Sequence, residues 1–161
     1  FDSEGSMWSI TSFVAKGLKK RTVNGDWQDV DLTEIIPINQ ASGYSKLVIS
    51  PNDEVYFGSA QYGLIGYAKI NGTPVLRSID VADNLPTVDV RSVALDFDDN
   101  LWIGTTEGLR VLYNASRLFT QSDLSASFGG VPPPSFHPSH SCAKFGRQRT
   151  LLREDAPPTR E

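Results

Sequence analysis

The residues that could do chemistry include a set of acidic side chains with calcium-loop spacing. Asp96, Asp98, Asn100 and Glu107 occupy positions 1, 3, 5 and 12 of such a loop, whose oxygen ligands would coordinate the ion. The loop also requires a glycine at its sixth position, where the backbone turns sharply, and this sequence has Leu101 there. The pattern therefore favours a polar turn over a calcium site.

A second candidate lies near the end of the chain, where His137, His140 and Cys142 have the spacing H-x-x-H-x-C. These ligands suit zinc, but a fourth protein ligand is missing and prolines surround them, so an unstructured segment is favoured. Residues 1–127 contain no histidine and no cysteine, and thus lack the commonest general base and the thiol nucleophile. The sequence predicts a protein that is not an enzyme, with no catalytic residues, no metal site and no cofactor.

Composition restricts the partners of the chain. The net charge is −4 over 161 residues, which offers no basic field for a phosphate backbone, so nucleic acid is excluded as a partner. No run of about 18 apolar residues occurs, so this sequence predicts no membrane span.

The charge changes sign along the chain. Residues 1–127 carry 10 basic and 16 acidic side chains, whereas residues 128–161 carry 5 and 3 and hold six of the ten prolines. Proline cannot donate to a sheet and blocks helix interiors, so residues 128–161 are predicted to be an irregular tail. This tail is either a disordered linker or a non-native, frame-shifted end.

The first 127 residues are predicted to be all-β. Short β-rich runs at 46–50, 55–58 and 91–95 are separated by turn-forming clusters, and no segment has a long helical period. Asn24-Gly25 and Asn71-Gly72 indicate two-residue hairpins of type I′, because both central residues of that turn need a positive φ.

An internal repeat organises these strands. Trp8, Tyr56 and Trp102 each follow a polar turn and an apolar residue, and Gly-Leu pairs recur downstream at 17–18, 63–64 and 108–109. A period of about 45 residues with four strand-like segments is typical of β-propeller blades, which bury their faces against each other. The prediction is a partial propeller of about three four-stranded antiparallel blades, near 1–40, 41–85 and 86–127.

The repeat also assigns structural roles. The expected signature residues, which pack blade on blade or form tight turns, are Trp8, Gly17, Leu18, Tyr56, Gly63, Leu64, Trp102, Gly104, Gly108 and Leu109. The carboxylates that recur at one place in the repeat are predicted to form turns and not a site; they are Asp2, Glu4, Asp53, Glu54, Asp96, Asp98 and Asp99. Because closed propellers have four to eight blades, we expect a truncated propeller whose remaining blades are missing.

The third unit resembles a known repeat. Asp83-Asn84-Leu85-Pro86, the strand-like run 90–94 and LWIGTTEGL at 101–109 resemble the two-component-regulator propeller repeat. Asn84 stands where that repeat usually has glycine, and asparagine is the usual substitute where φ is positive. This resemblance implies the propeller fold.

A finer resemblance covers residues 1–127. The segments at 17–20, 44–59, 63–67 and 101–119 are similar to the PorZ family, surface propellers of the bacterial type IX secretion system. That resemblance implies a cell-surface scaffold, outside the outer membrane, which binds protein partners of an attachment complex or anionic lipopolysaccharide. The alternative is the periplasmic propeller of a hybrid two-component histidine kinase, which would recognise oligosaccharides.

Sugar stacking would need exposed aromatic rings. The candidates are Trp27 and the tyrosines at 44, 56, 62 and 67, although most are expected to pack between blades.

Overall fold

The structure, a computed structural model, describes residues 1–14, 16–38, 40, 42–124 and 127–130. His137, His140 and Cys142 lie outside these residues, as does the predicted tail from residue 131 onward.

Three antiparallel sheets form the described part of the chain, each a simple meander. The first sheet consists of β1 (Met7–Ile10), β2 (Leu18–Arg21) and β3 (Trp27–Asp29). The second consists of β4 (Val48–Ile49), β5 (Val55–Gly58), β6 (Leu64–Ile70) and β7 (Thr73–Ile79). The third consists of β8 (Val90–Leu95), β9 (Leu101–Thr105), β10 (Gly108–Leu112) and β11 (Phe128–Gly130). This architecture confirms the all-β class and the partial propeller, with three strands instead of four in the first sheet.

Strand register gives the three sheets a common frame. Trp8 pairs with Lys20, Tyr56 with Gly66, and Trp102 with Val111. β1, β5 and β9 therefore occupy the same place in their sheets, and β2, β6 and β10 follow them in the same way.

The second sheet is buried on both faces. Because side chains alternate along a strand, Val55 and Phe57 join the apolar cluster shared with the first sheet, which includes Leu18. Tyr56 between them joins the cluster shared with the third sheet, which includes Leu101. Packing of sheet on sheet thus supplies both hydrophobic cores, as in repeat proteins.

The two predicted hairpins differ in structure. Asn71 and Gly72 have φ values of 51° and 80°, which confirms the type I′ turn between β6 and β7. The prediction for Asn24-Gly25 was wrong in its turn type. Gly25 alone has a positive φ, 95°, and its N–H donates to the Thr22 carbonyl, so the loop has three residues and a left-handed glycine.

The third sheet ends differently from the sequence prediction. Phe128–Gly130, assigned to the tail, form β11 and pair with β10. The connection before β11 contains a one-turn helix, α1 (Arg117–Thr120). Asn114 has a φ of 57° and leads into that helix, not into a direct hairpin. A second short element is a 3-10 helix (Val81–Asp83), whose C-cap Asn84 has the expected positive φ, 78°.

Candidate functional site

The polar turns before β1, β5 and β9 share one hydrogen-bond pattern. Each turn spans five residues, and the first N–H donates to the carbonyl of the fifth, in Asp2–Ser6, Ser50–Glu54 and Asp96–Asn100. The side chain of the first residue accepts the N–H of the fifth, at 2.8, 3.2 and 2.9 Å. The fourth residue of each turn, which is Gly5, Asp53 or Asp99, has a positive φ. These carboxylates therefore shape turns.

The first and third turns hold their tryptophan rings in the same way. Trp8 Nε1 donates to Asp2 Oδ2 at 3.0 Å, and Trp102 Nε1 donates to Asp96 Oδ2 at 2.9 Å. The bond from Trp102, together with those from Asn100 and Asp98, lowers the pKa of Asp96 to about 2. Although burial opposes ionisation of Asp2, bonds from Lys20, Trp8 and Ser6 outweigh it, so its pKa also lies below the usual value.

The second turn replaces this carboxylate with Ser50 and moves the charge to Glu54. Glu54 Oε2 accepts three hydroxyls, from Ser50 at 2.9 Å, Tyr56 at 2.7 Å and Ser116 at 2.8 Å. Ser116 belongs to the connection before α1, so this buried carboxylate joins the second sheet to the third. Burial and the Glu54 charge raise the pKa of Tyr56, which keeps its phenol protonated as a donor.

At three of the four signature glycines, a neighbouring atom lies so close that a Cβ would collide with it. A Cβ on Gly17 would lie 2.7 Å from the Thr11 carbonyl oxygen, and one on Gly63 would overlap the Ile79 carbonyl oxygen. A Cβ on Gly104 would overlap Ser92 Oγ, whereas Gly108 faces open space with a φ of 139°. Of the three signature leucines, Leu18 and Leu64 are fully buried and Leu109 is half-buried.

The three signature rings differ in exposure although their positions correspond. Tyr56 is fully buried against Phe119, with ring centroids 5.8 Å apart, and Trp8 is half-buried against Tyr67 at 5.4 Å. Trp102 is 37% exposed, because no described sheet covers its face of the third sheet. Packing of Trp102 against a further blade stays a prediction.

The calcium-like spacing does not bring its residues together. Asp96 precedes β9 and Glu107 follows it, so the extended strand separates them, and the Asp96 oxygens already accept four hydrogen bonds. Within the described ranges, no group of three or more His, Cys, Asp and Glu residues could hold a metal ion.

A cleft lies between the first and second sheets. Its volume is about 440 Å³, within the range of small-ligand pockets. Trp8, Tyr67 and Leu76 form much of its apolar floor, and charged side chains such as Lys69 and Glu34 line it.

Unequal strand lengths create this cleft. Leu18 and Leu64 correspond in register, so β6 continues three residues beyond the end of β2. Lys69 lies in this extension and pairs with Pro74 of β7. On the side of the third sheet, the connection containing α1 fills the space next to Gly66 with Leu118 and Phe119. The equivalent connection of the second sheet, which faces the first sheet in the same way, is the two-residue turn Asn71-Gly72, and it contains no helix. The space therefore stays open on the side of the first sheet.

Two of the charged side chains in the cleft are already paired. Lys20 Nζ lies 2.8 Å from Asp2 Oδ2 and 3.1 Å from Glu4 Oε2, and it sits over the Trp8 ring. Burial opposes protonation of Lys20, but the two carboxylates outweigh it and raise its pKa. Asp29 binds Lys19 and Lys16, which lower its pKa.

The rings considered for sugar stacking lie mostly in packed places. Tyr44 makes an edge contact with Phe57, and Tyr56 and Tyr67 are buried. Tyr62 is half-buried and donates its hydroxyl to Gln40, while Trp27 is 53% exposed on β3. The cleft residues Gln28, Glu34 and Lys69 carry no repeat signal, so the sequence did not single them out.

Comparison with known families identifies the third unit. Residues 84–107 match the family described as "Two component regulator propeller". This segment runs from the capping Asn84 through β8, the Asp96 turn and β9, so the match coincides with the strand–turn–strand part of the repeat. The match supports a propeller repeat here, and the register relates it to the other two sheets, which can now be called blades.

Searches of curated proteins and of solved structures each found no match. Among the described residues, no helix is long and apolar enough to cross a membrane.

Proposed function

We propose that this chain is part of a non-enzymatic propeller scaffold of the PorZ type, which acts on the bacterial cell surface and binds protein partners or lipopolysaccharide. The observation that carries the proposal is the propeller repeat at 84–107 within three stacked blades. The resemblance of the segments at 44–59 and 101–119 to PorZ proteins supports the finer assignment. Blades of this kind present loops and inter-blade clefts, which suit binding.

Charge favours proteins among these partners. Residues 1–127 carry six more acidic than basic side chains, so the field around the blades repels a polyanion such as lipopolysaccharide. A glycolipid would therefore bind through its sugars, with an affinity that depends weakly on salt, or through a local basic patch, with an affinity that falls as the salt concentration rises.

A second candidate is the periplasmic sensor region of a hybrid two-component histidine kinase. The description of the matched family, a two component regulator propeller, favours it. Such a region would recognise a small ligand on one side of the outer membrane, whereas a PorZ-type scaffold would lie on the other side. Location therefore separates the two candidates.

Protease treatment of intact source cells tests this difference, with an antibody against the chain as the readout. A surface scaffold is digested in intact cells, and a periplasmic sensor is protected until the outer membrane is permeabilised. A known periplasmic protein serves as the control for membrane integrity. Protection in intact cells would overturn the PorZ-type proposal.

The two classes of surface partner need a separate binding test. The chain is mixed with vesicles containing lipopolysaccharide and with neutral vesicles, and in parallel it is cross-linked on cells. Selective sedimentation with the lipopolysaccharide vesicles supports the glycolipid as partner. Specific cross-links to outer-membrane proteins without sedimentation support a protein partner. The absence of both sedimentation and cross-links would contradict the scaffold function.

A further inference from the structure

The first blade has a free strand edge where the other two blades have a further strand. The second and third blades each begin with an edge strand, β4 or β8, which pairs with β5 or β9. β1 corresponds to β5 and β9 in register, and within the described ranges only β2 pairs with it. A free strand edge presents backbone donors and acceptors that another extended segment can bind.

The hydrogen bonds around β1 show which backbone groups point toward this edge. The Thr11 N–H donates to the Gly17 carbonyl at 3.0 Å, and hydrogen-bonded pairs alternate along an antiparallel ladder. The N–H and C=O groups of Trp8 and Ile10 therefore point away from β2. Among the residues that the structure describes, no hydrogen bond engages these four groups. The segment before β4 donates a backbone N–H to the Ser12 hydroxyl just beyond β1, which limits the free edge to β1 itself.

The second blade shows how the same backbone groups are satisfied by an edge strand. Tyr56 and Gly58 of β5 stand at the two equivalent positions. Tyr56 pairs with Val48 of β4, and the Gly58 carbonyl and N–H bind the backbone N–H and the hydroxyl of Ser45. The edge of β1 thus repeats the geometry to which β4 is bound in the second blade.

Side-chain packing beside this edge also differs between the two blade interfaces. Between the second and third blades, β4 and β8 lie side by side, and Val48 joins one apolar cluster with the buried Val93. Leu47, which corresponds to Val93, packs in the cluster shared with the first blade and is only half-buried. A strand added to β1 would place an apolar side chain against Leu47, as Val48 is placed against β8.

We infer that the edge of β1 binds an extended segment of a protein partner, which adds to the first blade as a fourth strand antiparallel to β1. This inference rests on the proposed binding of protein partners and names the chemistry of the bound segment. Backbone hydrogen bonds to Trp8 and Ile10 hold the segment in register, and an apolar residue opposite Trp8 packs against Leu47. The segment has no proline opposite Trp8, because the N–H of that residue donates to β1.

The probe is the peptide Ac-Ser-Lys-Leu-Val-Ile-Ser-NH2, which copies residues 45–50 and is titrated into the full chain. NMR-detected hydrogen exchange follows the backbone amides. At a peptide concentration about 100 times its Kd, exchange of the Trp8 and Ile10 amides should slow by up to about 100-fold. The Ser9 amide, which faces β2, should change less.

Two N-methylated peptides give the decisive comparison. In the second blade the Ser50 N–H donates to the Glu54 carbonyl, so the Val48 N–H also faces β5 and the Ile49 N–H faces away. N-methylation of the peptide Val should weaken binding at least about 10-fold, because one hydrogen bond is lost and a methyl group meets β1. N-methylation of the peptide Ile is the matched control and should weaken binding less than about 3-fold.

A pair of protein variants tests the side-chain contact. Leu47→Ala should weaken the peptide about 3- to 10-fold, because it removes apolar surface beside the bound strand. Leu109→Ala makes the same change at a half-buried residue of the third blade and should leave peptide binding unchanged.

Other outcomes would overturn the inference. These are unchanged exchange at Trp8 and Ile10, equal effects of the two N-methylated peptides or of the two variants, and perturbed amide signals of Tyr56 or Trp102 in their place. The last result would mean that the peptide displaces β4 or β8. Light scattering tests a second copy of the chain as the occupant, and a dimer that the peptide dissociates would overturn the assignment to a partner protein.

The proposed scaffold function is tested separately, because the location and cross-linking experiments do not depend on this strand edge. Exposure at the cell surface without peptide binding would reject only the present inference.

Discussion

At the scale of single residues, the repeat conserves a hydrogen-bonding role more strictly than a residue type. Asp2 and Asp96 each accept backbone N–H groups of their turn and an indole N–H. In the second blade, Ser50 keeps the turn, and Glu54 takes over as the acceptor for the ring hydroxyl of Tyr56. The Glu54 carboxylate also accepts a hydrogen bond from Ser116 of the third blade. In the second blade, the acceptor for the signature ring therefore also links two blades.

Replacing Glu54 tests this link. Glu54→Ala leaves the hydroxyls of Ser50, Tyr56 and Ser116 without their shared acceptor, and we expect a loss of about 2–4 kcal/mol in the free energy of unfolding. Chemical denaturation measures it. Glu107→Ala, at an exposed turn, should change the stability by less than about 0.5 kcal/mol. Equal effects of the two variants would mean that the Glu54 network adds no stability.

The lowered pKa values of the turn aspartates predict an acid-sensitive fold. Asp96 has a pKa of about 2 in the folded chain against 3.8 for the ordinary side chain, so the folded state favours its ionised form. This stabilisation is present above about pH 4 and is lost as the pH falls toward 2. Asp96→Asn should therefore flatten the dependence of unfolding free energy on pH across this window. An unchanged slope would contradict the assignment.

At the scale of elements, loop length decides what lies between the blades. The connection before β11 is long enough to place α1 over the second blade, whereas the equivalent β6–β7 turn, Asn71-Gly72, is too short to place a helix over the first blade. The extended β6–β7 hairpin is therefore covered on one side and borders the cleft on the other. The cleft is thus a consequence of unequal strand lengths and connections in blades that share one register.

The turn at Gly63 predicts a strong position effect among glycines. Gly63 has a φ of 73° and its Cβ position overlaps the Ile79 carbonyl oxygen, while Gly72 has a φ of 80° in open space. Gly72→Ala should cost about 1–2 kcal/mol for the left-handed backbone alone. Gly63→Ala should cost at least about 1 kcal/mol more, because the backbone of β7 must also shift. Thermal denaturation of both variants measures the difference, and equal losses would disprove the steric contribution.

At the scale of the whole molecule, each blade shields the signature ring of the blade before it. Trp8 and Tyr56 are covered in this way by the second and third blades, and Trp102 lies on the face that no described blade covers. The same sequence position therefore ranges from fully buried to 37% exposed. The environment of the ring, and not its residue type, therefore sets how much the ring contributes to the stability of the fold.

Alanine substitutions at these rings should follow burial. Tyr56→Ala should cost about 3–5 kcal/mol, as for other large buried aromatic residues, whereas Trp102→Ala should cost about 1–2 kcal/mol. Denaturant unfolding of both variants under the same conditions measures the ratio. A larger loss for Trp102→Ala would show that its face is covered in solution.

Much of the fold could be predicted from the sequence. The all-β class, the blade-like repeat, the Asn71-Gly72 turn and the positive φ of Asn84 depend on local chemistry that residue spacing reveals. The turn type at Asn24-Gly25 and the extra strand β11 were missed. A single glycine can be accommodated in more than one hairpin, and Phe128-Gly129-Gly130 has no strand signal of its own.

The candidate site could not be predicted in this way. Strands and turns repeat along the chain because every blade forms the same hydrogen-bonded strands joined by turns at the same places. The sequence by itself therefore determined the blades. Lys69, Glu34 and Trp8 meet at the cleft only because two blades of unequal length pack face to face. Side chains that lie far apart in sequence acquire a common site through tertiary packing alone, and that packing decided where this protein has room for a ligand.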